Sequence, residues 1–461
     1  MRTLIVAFRN VFRNARRSAT TTVAIAVGGV AVVLFGGYVS AIVYGLQTGM
    51  VQGNGHLHVY RSGYFLYGSG NPAAYGIPGY RDVMRAILDD PELRPLVHVA
   101  TPRMMLYGIA GNFADGASKT FMGVGVIPSD RNRMAGWNDY GIGVAGRPTA
   151  LRDAEPEAGV VGAGLARILR MCGPLNVPNC PEPPRAETGT AAKEEADLLD
   201  LAAAEAAGGG APADGRPRLD LLSATASGAP NVVSMAVVKA EGQGVRELDD
   251  LYVGLHFDLA QRLVYGRDGG QASAIVLQLH HTRDIPAARA RLAALFAERG
   301  QDLEVRDFTE LMPAYRQITG MFNAIFGFIA VLMGVIVLFT VVNTMGMAVV
   351  ERTQEIGTLR ALGLRRGAVR RLFLAEGAIL GIFGATLGVG LGIGIALLIN
   401  RAGLNWTPPN NVEPVPLLIL VSKPALLAGT WAGLALLATL SALWPANRAA
   451  RLVIVDALRH V

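Results

Sequence analysis

Residues 19–46, 317–350, 377–400 and 424–446 contain no Asp, Glu, Lys or Arg, and each is longer than a globular core normally requires. About 20 such residues cross the hydrocarbon of a bilayer as a helix. The chain is therefore confined to folds that use lipid as part of their solvent. Composition agrees: 51% of the 461 residues are hydrophobic and 17% charged, with a mean hydropathy of +0.35. The first stretch follows Arg9, Arg13, Arg16 and Arg17 and contains Val39-Ser40-Ala41, which is like a signal-peptide cleavage site. A signal h-region is about 7 to 15 residues, so a stretch this long reads as an uncleaved anchor.

The net charge of +6 would suit nucleic-acid binding if it covered one soluble face. Instead the arginines flank the apolar stretches: 2–17, 352–371, then Arg448, Arg451 and Arg459, against Arg401 alone in 401–422. The positive-inside rule then puts both termini and the 351–371 loop in the cytoplasm, and 47–316 outside. The expected fold class is a membrane protein of four transmembrane α-helices, with a large α+β extracytoplasmic domain between the first and second.

Its expected divisions are a cytoplasmic amphipathic segment 1–18, span 19–46, outer domain 47–316, span 317–350, cytoplasmic coupling helix 351–371, span 372–400, outer loop 401–422, span 423–446 and tail 447–461. The second span is long enough to continue into the aqueous domain and couple it mechanically to the membrane. Gly377, Gly381, Gly384, Gly388 and Gly392 form a small-residue stripe for helix packing, either within one subunit or at a dimer seam. Glu376 is the one acidic residue within the spans, and pairing with Arg370 or Arg371 is the expectation rather than substrate binding.

The outer stretch has room for two small subdomains. Alternation gives strands over 56–60 and 273–279. Ile285–Arg299 reads as a helix with Asp284 as N-cap and Leu292, Leu295 and Phe296 inward, before a strand at 303–305. Residues 181–217, rich in Ala, Gly, Pro and Glu, read as a flexible insertion dispensable for folding, with an amphipathic helix over 191–207 as an alternative. Cys172 and Cys180, the only cysteines, read as a disulfide in an oxidising compartment. No metal site is expected, because His98, His256 and His280-His281 lack ligand spacing. No nucleophile elbow or paired catalytic motif marks an enzyme.

Three places in the sequence carry a family resemblance. Ala7-Phe8-Arg9-Asn10-Val11-Phe12-Arg13-Asn14 precedes the first span. Glu351-Arg352-Thr353-Gln354-Glu355-Ile356-Gly357-Thr358-Leu359-Arg360-Ala361-Leu362-Gly363 follows the second and continues to Leu372-Phe373-Leu374-Ala375-Glu376. Pro445-Ala446 and Arg448-Ala449-Ala450 lead to Asp456-Ala457-Leu458-Arg459, with Val453-Ile454 where the family usually has an acidic-Pro pair. The chain resembles the FtsX-like, or MacB-like, permeases of type VII ABC transporters. Gly55-His56-Leu57-His58-Val59 and Val160-Val161-Gly162-Ala163-Gly164-Leu165-Ala166 look more like their lipoprotein-releasing LolC/LolE branch.

The resemblance implies a bacterial inner-membrane transport subunit with its large domain in the periplasm, moving lipoprotein or another amphipathic envelope substrate by mechanotransmission. A signalling permease that activates a cell-wall hydrolase is the alternative. Implied partners are an ABC ATPase subunit, a second permease copy or paralogue, membrane lipids and a periplasmic adaptor or lipoprotein carrier, with no nucleic acid. This chain is expected to hold no cofactor. Gly116-Ala117-Ser118-Lys119-Thr120 lacks the Gly before Lys of a phosphate loop, so ATP and Mg fall to the partner.

By the same resemblance, Glu351, Arg352, Glu355, Ile356, Gly357, Leu359, Arg360 and Gly363 couple the chain to the ATPase. Read as a helix, Glu355 lies within reach of Arg352, and Ile356 and Leu359 face an apolar groove on the partner. Gly357 allows close approach and Gly363 a helix end.

Overall fold

The computed structural model describes residues 2–68, 71–144, 146–180, 215–266, 269–407 and 414–459. Residues 181–214, most of the expected insertion, lie outside them. Helices α1 (Arg2–Arg13) and α2 (Ala15–Asn54) open the chain. Next come α3 (Tyr80–Asp89), α4 (Pro128–Ala135), α5 (Ala163–Ile168), α6 (Phe257–Tyr265) and α7 (Ile285–Glu298). The chain closes with α8 (Pro313–Glu351), α9 (Thr353–Ala361), α10 (Arg366–Ala402), α11 (Pro424–Ser441), α12 (Leu443–Arg451) and α13 (Ile454–Arg459).

Four helical runs are long and apolar enough to cross a membrane: α2, α8, α10 and the α11–α12 run over Pro424–Arg451. The chain divides into two compact units, Met1–Tyr44 with Ala314–Trp406 and Val415–Val461, and Gly45–Pro313 with Thr407–Pro414.

In the helical unit α10 packs along α1, α11 and α12. Its core joins Ile25, Val341, Val349, Phe373, Leu380 and Ala438. Small residues make this packing close. An added Cβ at Gly381 would lie 2.8 Å from the Ala438 Cβ, and one at Gly388 2.7 Å from the Ala26 carbonyl. On α8, Phe328, Val331 and Phe339 are each about two-thirds exposed, a surface that water would solvate poorly.

The second unit is β-rich. Its strands are β1 (Leu57–Arg61), β2 (Val97–Asn112), β3 (Ala117–Val126), β4 (Ala158–Gly162), β5 (Arg218–Ala224), β6 (Pro230–Glu241), β7 (Tyr252–His256), β8 (Ala274–Leu279) and β9 (Leu303–Asp307). They form one sheet in the order β9-β1-β8-β2-β3-β7-β4-β6-β5, and a further β2–β5 pairing closes six of them on themselves. The 16-residue β2 serves both parts: Val97–Arg103 pairs with β8 and Met104–Asn112 with β3.

Helix α6 packs against β2, β3, β5, β6 and β7 and buries Phe257, Leu259, Leu263 and Val264. The two expected subdomains are thus one sheet with a shared core running from Leu57 and Phe296 to Leu255 and Leu219.

The strand and helix expected at 273–279 and 285–299 form as β8 and α7, and β1 lies between β8 and β9, with Val59 opposite both Ile275 and Val305. Asp284 stands at the N-cap of α7 without a side-chain capping bond. Asp307 caps a different element, the short helix Phe308–Leu311, accepting from the Thr309 and Glu310 amides at 2.8 and 3.0 Å.

Candidate functional site

The motif segment 351–363 folds as a helix with sharply defined ends. Helix α8 breaks at Arg352 and α9 begins at Thr353. At the other end Gly363 has φ +94°. Its amide donates to the Arg360 carbonyl, and the Leu364 amide to that of Leu359, both at 3.0 Å. This is the Schellman closure, which favours glycine for its left-handed backbone.

The faces of this helix differ from the expected amphipathic pattern. Ile356 and Gly357 point inward with Thr353. Leu359 is 44% exposed, Leu362 80% and Leu364 37%. Ile356 is therefore core, packed with Val349 and Val369, and the apolar residues open to a partner are Leu359, Leu362 and Leu364.

The charged residues also choose unexpected partners. Glu355 is held by Arg13 of α1, whose Nη2 donates at 2.6 and 2.9 Å, rather than by Arg352. Arg17 donates to Glu351. Arg352 turns inward, and its Nη1 donates to Glu376 Oε1 at 3.0 Å with both side chains buried. Asn10 Nδ2 donates to the same oxygen at 2.6 Å.

Glu376 therefore pairs with Arg352 and not with Arg370 or Arg371. At five and six positions back along a helix, those arginines lie off its face, and the Arg371 Nε donates to the Gly367 carbonyl instead. Arg360 donates to the Leu452 carbonyl, and α9 packs on α13. Asn10, Arg13 and Arg17 enter the sequence reading only through the entry motif and the basic flank, which assign them no partner.

The glycine stripe lies inside the chain. Gly377 and Gly381 face α11 and Ala442, whereas Gly384, Gly388 and Gly392 face Ile25, Ala26 and Val33 of α2.

In the β-rich unit Cys172 and Cys180 are disulfide-bonded, with 6.2 Å between Cα atoms. No group of three or more His, Cys, Asp or Glu capable of holding a metal occurs among the described residues. What sequence reading missed here is a polar socket around the last turn of α2. Gln278 Nε2 donates to the Val51 carbonyl at 3.1 Å, Arg131 Nη1 to Gln52 at 2.6 Å and Arg103 Nη2 to Gly53 at 2.8 Å.

The two arginines are cations that meet carbonyls at the negative end of the helix dipole, whereas the Val51 carbonyl also accepts from the Gly55 amide at 2.9 Å. Burial is severe enough to pull the Arg103 guanidinium down to about 10. Nearby His56 and His58 are lowered to about 3, chiefly by burial.

Residues 327–454, which contain α9, α10, α11 and α12, match the family model described as FtsX-like permease C-terminal. This region is an FtsX-like permease C-terminal domain. Among curated relatives, the macrolide export ATP-binding/permease protein MacB of Chlorobium luteolum is 29% identical over 50% of this chain and 33% of that protein. The lipoprotein-releasing system transmembrane protein LolC of Neisseria meningitidis is 28% identical over 50% of this chain and 56% of that protein. The ABC transporter permease YtrF of Bacillus subtilis is 46% identical over 16% of this chain and 17% of that protein. The FtsX-like chain thus spans less than two thirds of the curated relatives it matches.

Proposed function

We propose that this FtsX-like chain is the permease subunit of an ABC transporter and works with a separate ATPase. The observation that carries the reading is α9 with its closing Gly363: within the family region they bury Ile356 and Gly357 yet leave Leu359, and Leu362 and Leu364 at the helix end, exposed to solvent. Such a row of exposed leucines beside charged residues suits a protein groove. The arginine distribution supports a cytoplasmic place for it, where an ATPase would be found.

On this reading the β-rich unit is extracytoplasmic, in agreement with its disulfide. ATP-driven motion then acts on a lipoprotein or another amphipathic envelope substrate. The likeness to LolC over half of each protein supports that substrate class. The exposed apolar face of α8 suits lipid and a second permease copy.

Purification of the full chain from native membranes in mild detergent, with mass spectrometry of bound proteins and lipids, tests the reading. An ABC ATPase and a lipidated substrate are the expected companions. A cell-wall hydrolase or its activator in place of the substrate would overturn the transport assignment.

A further inference from the structure

Glu351 and Glu355, which the coupling reading offers to an ATPase, are already engaged by Arg17 at the start of α2 and Arg13 of α1. The Arg13–Glu355 pair is exposed, at 57% and 55%, and Arg17–Glu351 nearly as much. Exposed pairs of this kind contribute little to stability, so their value lies in where they hold the two helices.

Beneath them the contact becomes buried. Asn10 donates its side-chain amide to Glu376, and its backbone carbonyl accepts from Arg352 Nη2 at 3.3 Å. Glu376 thereby joins α1 to the α8–α9 turn through one carboxylate. Removing a member of such a pair strands the other charge away from water, a far larger penalty than at the surface. A cavity of about 30 Å³ adjoins the cluster, lined by Asn10, Asn14, Thr344, Arg352 and Glu376. Val11, Met345 and Leu380 line it as well, and it is large enough for one water against the polar groups.

We propose that α1 and the start of α2 form a positioning latch for the coupling helix: Arg13 holds α9 directly, Asn10 and Arg17 hold the α8–α9 junction that leads into it, and these elements move as one when an ATPase engages. The proposal rests on the ATPase-coupling reading above. It assigns Glu355 to Arg13 within the chain, leaving Leu359, Leu362 and Leu364 as the contact with the partner. Asn10 and Arg13 of α1 and Arg17 at the start of α2 are positioning residues, acting through α9 and the end of α8.

A charge exchange separates the latch from direct docking. In full-length protein purified with its ATPase, Glu355→Arg should lower permease-dependent ATP hydrolysis roughly two- to fivefold, the range open to an exposed ion pair. Arg13→Glu combined with Glu355→Arg should restore it. A double variant as defective as the single one would overturn the latch, because Glu355 would then be needed by the ATPase itself.

A second measurement needs no ATPase. Arg13→Cys with Glu355→Cys, treated in native membranes with a short bifunctional thiol reagent that spans the length of the Arg–Glu pair, should crosslink within one chain, and Glu376→Gln should lose most of that crosslink while remaining inserted. Absence of the crosslink in the otherwise unaltered chain overturns the latch. Absence of any co-purifying ATPase overturns only the coupling reading.

Discussion

Replacing Gly388 by alanine should destabilise the helical unit, whereas the same change two residues on, at Gly390, should not. At Gly388 a new Cβ would sit 2.7 Å from the Ala26 carbonyl oxygen and 2.9 Å from its Cα, closer than real Cβ contacts come, and both neighbours are backbone. At Gly390 nothing lies within 4 Å. Neither atom at position 26 can rotate away, so α2 and α10 must separate along their seam and lose contacts at Gly384 and Gly392 as well.

Overpacking of this kind costs about 1–3 kcal/mol, equivalent to a roughly 5- to 150-fold loss in the folded ratio. Both variants gain the same helix propensity, so the comparison cancels that effect. Unfolding in mixed detergent micelles with increasing sodium dodecyl sulfate, followed by circular dichroism, reads the difference. Equal midpoints for the two variants would refute the close α2–α10 seam.

Removing the Cys172–Cys180 link, whose residues are 8 apart, should cost about 2.5 kcal/mol by loop-closure entropy; neither thiol of the unreduced protein should take up maleimide, and rapid labelling of both would contradict the bond. Acid should destabilise the β-rich unit. His56 and His58 are held near 3 against an ordinary 6.5, so the unfolded chain takes up protons first and stability falls as pH drops from 6.5 toward 3. At pH 5 each would account for about 2 kcal/mol. Melting temperatures at pH 7 and 5 check this, and a His58→Phe variant with an undiminished pH dependence would remove His58 as a source.

Much of the helical unit is legible in sequence because lipid imposes a simple rule: long runs without charge. The runs at 19–46 and 317–350 grow into α2 and α8 by a few residues at either end, since polar turns outside the hydrocarbon remain helical. The β-rich unit is legible only where local signals are strong, as at Ile285–Glu298, with Pro at its start and Gly300 beyond its end. Closure of the sheet through Ile109 opposite Leu222 joins residues more than 100 positions apart, and no local pattern encodes it.

The coupling segment was recognisable as a helix, yet its inward face was misread. Ile356 and Leu359, three apart, looked equivalent along the sequence. What separates them is the packing of Val349 and Val369 around Ile356. Glu376 was likewise assigned a neighbour along its own helix when its partners, Asn10 and Arg352, come from two others.

The central claim is that the exposed face of α9 docks an ATPase. Leu359→Asp with Leu362→Asp places charge on that face without touching the buried Ile356 or Gly357. Quantitative mass spectrometry of the affinity-purified full-length chain should find an ABC ATPase with the unaltered protein and at least a tenfold loss with the double variant, as expected when charge enters an apolar contact, at equal membrane insertion and equal melting temperature. Undiminished recovery of the ATPase with the double variant would contradict the account.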